Sequence, residues 1–154
     1  MVVLMTSLRR VQIRGFKSIR ELDVELGPLT VLIGANGAGK SNLVSFFKML
    51  SFAMTGALQE WVGRNGGADA LLHYGAGTTP RMEGSFEFET PAGTNAYAFS
   101  LAHAAGDTLI FTDESVQFAR RNHPGNPIGG SLGAGHRESL LTQAAHKGDK
   151  TAHV

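Results

Sequence analysis

The chain has 154 residues, 42% hydrophobic and 18% charged, with a net charge of +1. That balance describes one soluble globular domain, or part of one, long enough to bury a core, and it excludes a bulk polycation, so a nucleic-acid contact would need a local basic patch. There are no cysteines, which removes disulfides and thiolate metal sites and agrees with a reducing cytoplasm.

No apolar run approaches the roughly 20 residues of a membrane span. The start, Met1-Val2-Val3-Leu4-Met5, is apolar but too short for a secretory signal and has no basic leader. The expected location is the cytoplasm, with no membrane partner.

Val11 and Ile13 alternate with Arg10, Gln12 and Arg14. Leu22, Val24 and Leu26 alternate with Glu21, Asp23 and Glu25. Period two predicts two half-buried strands, an antiparallel ribbon over 8–27 turning at Gly15-Phe16-Lys17-Ser18. Gly27-Pro28 then redirects the chain. Leu29-Thr30-Val31-Leu32-Ile33 is short, apolar and β-branched, the composition of a strand buried on both faces. Leu43, Phe46, Phe47, Leu50 and Met54 recur at helical steps, and Gly56 is placed to end that helix. The strand, the glycine-rich loop after it and this helix make up 29–55. Leu58, Trp61 and Val62 suggest a second short helix, and 63–80 reads mostly as loop. Over 81–119, Phe86 and Phe88, then Tyr97, Phe99 and Leu101, then Leu109-Ile110-Phe111 and Val116-Gln117-Phe118 are separated by turn signals, a meander of β-hairpins. Residues 120–154 read as glycine- and proline-rich loop with a short helix over 138–146.

Gly34-Ala35-Asn36-Gly37-Ala38-Gly39-Lys40-Ser41 fits G-x-x-x-x-G-K-[ST], the Walker A pattern of a P-loop. The residue types follow from the chemistry. Glycines allow positive φ and let backbone N–H groups close around a phosphate. The helix that begins near Lys40 aims its free N–H groups and dipole at the same anion. Lys40 supplies a point charge to the β- and γ-phosphates, and Ser41 a hydroxyl to Mg²⁺. Gly34, Ala35, Asn36, Gly37, Ala38, Gly39, Lys40, Ser41 and Asn42 are the expected nucleotide-binding residues, and Ser41 the metal-side one. No base-reading Asn/Thr-Lys-x-Asp pattern is present.

The stretch from Leu8 to Ile19 containing Gly15-Phe16-Lys17-Ser18, followed by Leu29 to Asn42, resembles the N-terminus of RecF/SMC-like ATPases, the ABC-type heads often grouped with AAA-family ATPases of DNA repair and chromosome maintenance. The match is strong over 8–50 and looser beyond. Gly66-Gly67-Ala68-Asp69 and Gly133-Ala134-Gly135-His136-Arg137-Glu138-Ser139 also resemble segments of stand-alone members. The resemblance implies ATP with Mg²⁺, heads that dimerise around two ATPs, and a ribbon turn at Phe16, Lys17 and Ser18 near the base and ribose. It also implies a second lobe carrying a signature loop, a Walker B Asp-Glu and a switch histidine. No Leu-Ser-Gly-Gly occurs here. The expected fold class is therefore α/β, a P-loop NTPase lobe spanning 1–154 with an N-terminal antiparallel ribbon and a β-hairpin meander, its second lobe missing. The C-terminal lobe is the first expected partner and DNA another.

Leu109-Ile110-Phe111-Thr112-Asp113-Glu114 imitates a Walker B run, with Asp113 toward Mg²⁺ and Glu114 as base. Thr112 interrupts its apolar stretch, and it sits in a meander rather than after a crossover helix, so solvated acids at a strand end are the favoured reading. Gln117, and less so Gln59, are candidates for a glutamine beside Mg²⁺, with plain surface positions favoured. The histidines show no ligand spacing. Arg9, Arg10, Arg14, Lys17 and Arg20 form a basic cluster that reads more readily as a solvated ribbon face than as a DNA contact. Three functions follow: the ATP-binding lobe of a RecF/SMC-like ATPase, a non-hydrolysing nucleotide-dependent interaction module, or a fragment of an ABC-type ATPase of another role. Little turnover by this chain alone is expected, and an apolar strand edge should be left open.

Overall fold

The computed structural model describes residues 6–146. The alternating N-terminus forms β1 (Ser7–Phe16) and β2 (Ile19–Glu25). They pair antiparallel, Val11 opposite Val24 and Ile13 opposite Leu22. The turn needs left-handed backbone, φ 73 at Gly15 and 47 at Lys17. A Cβ on Gly15 would lie 2.7 Å from the Arg81 carbonyl oxygen, so a side chain there would push the next strand away.

Three helices follow: α1 (Lys40–Met54), α2 (Leu58–Arg64) and α3 (Gly67–Leu71). The chain then returns to strands β3 (Arg81–Glu89), β4 (Gly93–Ala104), β5 (Thr108–Arg120) and β6 (His123–Gly133), before α4 (Leu141–His146). All six strands join one antiparallel sheet in the order β2-β1-β3-β4-β5-β6. The α/β lobe with its ribbon and its meander is thus the observed architecture.

One face of the sheet is apolar and lies under the helices. Phe46 of α1 sits at its centre, edge-on to Phe16 at 5.1 Å and stacked 6.2 Å from both Phe86 and Phe99. Burying a phenylalanine of this kind contributes roughly 1.5–3 kcal/mol. A Cβ at Gly84 would stand 2.6 Å from the Phe99 ring and 3.1 Å from that of Phe46, so the ring cluster requires glycine there. The other face is polar. Arg10 donates two bonds to Asp23, each 2.8 Å, Gln12 adds one at 2.9 Å, and Arg14 pairs with Glu21.

Three sequence expectations change. Leu29–Ile33 is not a buried strand: it joins no sheet, and Leu29, Val31 and Ile33 are 84%, 67% and 92% exposed. After Gly27-Pro28 the segment leaves the edge of β2, and it pairs with no described strand. An apolar run forms a buried strand only where a neighbour takes its backbone bonds. The segment is apolar and open, but as an unpaired run and not as the strand edge expected above. Second, 123–133 is not loop but β6, whose side chains are almost wholly exposed. Its register comes from the backbone ladder of β5, and an edge strand tolerates the glycines and prolines that hid it. Gly129 permits close approach, since a Cβ there would fall 2.1 Å from the Val116 carbonyl oxygen. Third, 63–80 is mostly turn and loop, as expected, but not wholly so. It holds α3 and a bridge from Phe16 to Leu72.

Candidate functional site

Helix α1 begins at Lys40, directly after the loop. Gly37 and Gly39 stand at φ 87 and 89, a backbone that L-residues rarely adopt, and Gly39 is the N-cap. The Asn42 and Leu43 N–H groups bond back to the Gly39 carbonyl at 3.0 and 3.1 Å. The Lys40 and Ser41 N–H groups therefore precede the first helical bond, as anion-binding donors do. No acid stands in the first turn to compete for them.

The Lys40 amine folds back into the loop, donating to the Gly34 carbonyl and, at 2.8 Å, to the Ala35 carbonyl. Its charge thus lies inside the concavity of the loop. The cavity beside it, about 410 Å³, is lined by Ser18, Arg20, Gly39 and Lys40 and by the apolar Leu32 and Ile33. Glycines at positive φ, a central ammonium and a helix N-terminus fit a polyphosphate. The exposed Ser41 hydroxyl at the same end fits the metal that accompanies one.

The ribbon turn is bound to this loop. Asn42 Nδ2 donates to Ser18 Oγ at 2.6 Å. Lys17 points elsewhere: its amine donates to Ser45 Oγ at 3.1 Å and lies 5.6 and 5.7 Å from the Phe16 and Trp61 ring centres. Burial pushes the Lys17 pKa down from its usual value. It is not the solvated turn lysine that the ribbon sequence allows, and Phe16 is core.

The acids are elsewhere. The register between β4 and β5 jumps from Ser100 opposite Asp113 to Leu101 opposite Phe111, leaving Thr112 as a bulge. The interruption seen in the sequence at Thr112 is thus a structural device. It lets Phe111 and Glu114 both face the core while Asp113 stays exposed on the polar face. Glu114 is fully buried, not solvated. Tyr97 donates to it at 2.7 Å, Ser139 at 2.5 Å and the Leu140 N–H at 3.0 Å, and His136 Nε2 lies 2.8 Å away. That burial and the nearby carboxylate raise the Tyr97 pKa well above its usual value. Among the described residues Glu114 has no bond to Lys40 or Ser41. Gln117 is an exposed position of β5 opposite Ala96. Gln59 is a clamp, donating to the Leu109 and Arg137 carbonyls at 2.9 and 2.7 Å. The Gly133–Ser139 segment also reaches α2, where the Glu138 carboxylate accepts the Leu58 and Gln59 N–H groups at 2.7 and 3.1 Å.

The basic cluster is largely neutralised. Arg9 pairs with Glu89, Arg10 with Asp23 and Arg14 with Glu21. Among the described residues no group of three or more His, Cys, Asp or Glu could hold a metal, and no helix is long and apolar enough to cross a membrane.

Comparison with known proteins gives the family of the chain. The family model described as an AAA domain, a putative AbiEii toxin of a type IV TA system, matches residues 29–137. The chain belongs to this AAA-domain family. It is accordingly a lobe of the ABC/AAA ATPase type, the class that the resemblance in the N-terminal sequence implies. The OLD nuclease of Thermus scotoductus is 43% identical over 37 residues, which is 24% of this chain and 7% of that protein. A solved structure from work on ATP-driven dimerization and DNA-stimulated activation of SMC ATPases is 18% identical, covers 84% of this chain and 72% of that one, and has a TM-score of 0.43.

One exposed residue escaped the sequence reading. Tyr74 sits at φ 57 beside Gly75 at 81. An aromatic residue immediately before a turn glycine was the available signal.

Proposed function

We propose that this AAA domain binds ATP with Mg²⁺ through Gly34–Ser41, as the N-terminal lobe of a cytoplasmic ATPase completed by a further lobe. The observation that carries the reading is the Lys40 ammonium held inside a loop of left-handed glycines at the start of α1. A triphosphate would take over the ammonium now directed at the Gly34 and Ala35 carbonyls, with its oxygens facing the free N–H groups of Lys40 and Ser41. The Ser41 hydroxyl would hold Mg²⁺, which would neutralise phosphate charge there.

The exposed apolar run Leu29–Ile33 beside this loop supports completion by strands from another lobe. Head-to-head dimers and a DNA-linked role rest on the RecF/SMC resemblance. A second reading, a nucleotide-dependent interaction module without hydrolysis, is favoured by one observation: Glu114, the only acid of the Walker B-like run turned inward, is occupied by Tyr97, His136, Ser139 and the Leu140 N–H. Titration of a fluorescent ATP analogue with Mg²⁺ into the chain and into Lys40→Ala tests the site. Binding lost in the variant, with an unchanged circular dichroism spectrum, is the expected result, and equal binding by both overturns it. Substantial Lys40-dependent turnover by the chain alone would overturn the second reading.

A further inference from the structure

Tyr74 is placed at a conformational cost with no return from burial. It occupies the third position of the turn closed by the Gly75 N–H on the Leu72 carbonyl at 3.0 Å, at φ 57. That position favours glycine or asparagine, and a bulky L-residue there is strained by roughly 1–3 kcal/mol. Yet the residue is 82% exposed, touching His73 with ring centres 4.4 Å apart. The surrounding segment is firmly held: the Lys17 N–H bonds the Leu71 carbonyl at 2.8 Å, and the His73 N–H bonds the Gly15 carbonyl at 3.0 Å. A rigid frame thus displays a strained, solvent-facing aromatic ring.

The ring borders a groove of about 760 Å³ lined by Arg20, Thr78, Thr79 and Arg81. Arg14 also lines it but is tied to Glu21, and Glu83 lies on the same wall. The available positive charge comes from Arg20 and Arg81, whose side chains make no ion pair or hydrogen bond among the described residues. Arg20 also borders the P-loop cavity, and among the described residues it is the one the two cavities share.

We propose that this groove binds an unpaired nucleic-acid strand, one base stacked on Tyr74 and the flanking phosphates against Arg20 and Arg81. Stacking on an aromatic face combined with a cationic track is how single strands are held without sequence preference, and the threonine hydroxyls offer further phosphate donors. The site meets the proposed ATP site at Arg20, while Tyr74 and Arg81 lie outside that cavity.

The test is fluorescence anisotropy of a labelled oligothymidylate at low salt, with the intact chain, Tyr74→Asn, Tyr74→Phe, Arg81→Ser and Lys40→Ala. Tyr74→Asn relieves the left-handed strain, so its melting temperature holds or rises while strand affinity falls roughly fivefold to a hundredfold. Tyr74→Phe retains affinity. Arg81→Ser weakens binding and lowers the salt slope by about one. Lys40→Ala binds the strand as the intact chain does. The proposal is overturned if the intact chain does not bind the strand, or if Tyr74→Asn binds it within twofold of the intact chain. It is also overturned if the Tyr74→Asn loss appears in ATP-analogue affinity instead, which would make the ring a contact for the P-loop nucleotide.

Discussion

Asn42 Nδ2 donates to Ser18 Oγ at 2.6 Å, joining the first turn of the P-loop helix to the turn of the N-terminal ribbon. The link is close-packed as well, since a Cβ on Gly39 would sit 3.2 Å from the same oxygen. The ribbon therefore holds the start of α1, and with it the loop that turns on Gly39. An exposed hydrogen bond contributes about 0.5–1.5 kcal/mol net. Asn42→Ala should weaken binding of the ATP analogue roughly twofold to tenfold. Ser18→Ala should do the same, and the double variant should be little worse than either, because both remove one bond. Titrations of the three variants check this, and fully additive losses would show that the two residues act separately.

Much of this was legible in the sequence because the informative residues act locally. The period-two runs around Val11 and Leu22 report a sheet with one buried face, and the P-loop carries its glycines, lysine and helix start in one contiguous stretch. What was hidden depends on distant partners. Leu29–Ile33 has strand composition, but a strand exists only against a neighbour. The β6 strand has almost no side-chain pattern, because the ladder of β5 supplies its order. The fate of Glu114 turns on the Thr112 bulge and on Ser139 and His136, more than 20 positions away, as the Ser139 bond at separation 25 and the His136 pair at 22 show. A run reading Phe-Thr-Asp-Glu cannot announce that its glutamate faces a tyrosine on the preceding strand.

Leu29, Val31 and Ile33 should govern solubility rather than stability of this chain. Exposed side chains of this kind contribute within about 0.5 kcal/mol to folding, whereas a contiguous apolar segment promotes association. Val31→Lys with Ile33→Thr should leave the melting temperature within a couple of degrees, about what 0.5 kcal/mol shifts in a domain of this size. It should also lower the apparent mass in light scattering at high concentration. A large drop in melting temperature would mean that the segment is packed in solution.

Asp23 links stability to acid. Its hydrogen bond from Arg10, then that from Gln12, lowers its carboxyl pKa from 3.8 to about 2. With the folded value below the unfolded one, the contribution is complete above about pH 3.8 and is lost as pH falls through about 2. Both partners are well exposed, so the effect is modest and screened by salt. Urea midpoints measured across that acid range should fall less steeply for Asp23→Asn than for the intact chain. Parallel curves would mean that the Arg10 pair does not persist in solution.

Glu114 separates a structural acid from a catalytic one. The buried carboxylate gathers Tyr97, Ser139, His136 and the Leu140 N–H, so it fastens β4, β5 and the segment leading to α4. Glu114→Ala would leave several buried donors without an acceptor, at a cost on the order of 3 kcal/mol or more, or roughly 6–12 °C in melting temperature. Glu114→Gln keeps the shape, but its amide nitrogen turns a donor toward donors already present, so it too should lower the melting temperature, by a smaller amount. A general base behaves differently. Its glutamine variant keeps the fold and loses turnover, often in a state that still holds nucleotide. Thermal melts of both variants, read beside ATP-analogue titrations, decide between these roles. Lowered melting with ATP-analogue affinity kept well below the transition identifies the acid as a fastening. Unchanged melting in Glu114→Gln, with Lys40-dependent hydrolysis present in the intact chain and absent in the variant, would restore Glu114 to the reaction.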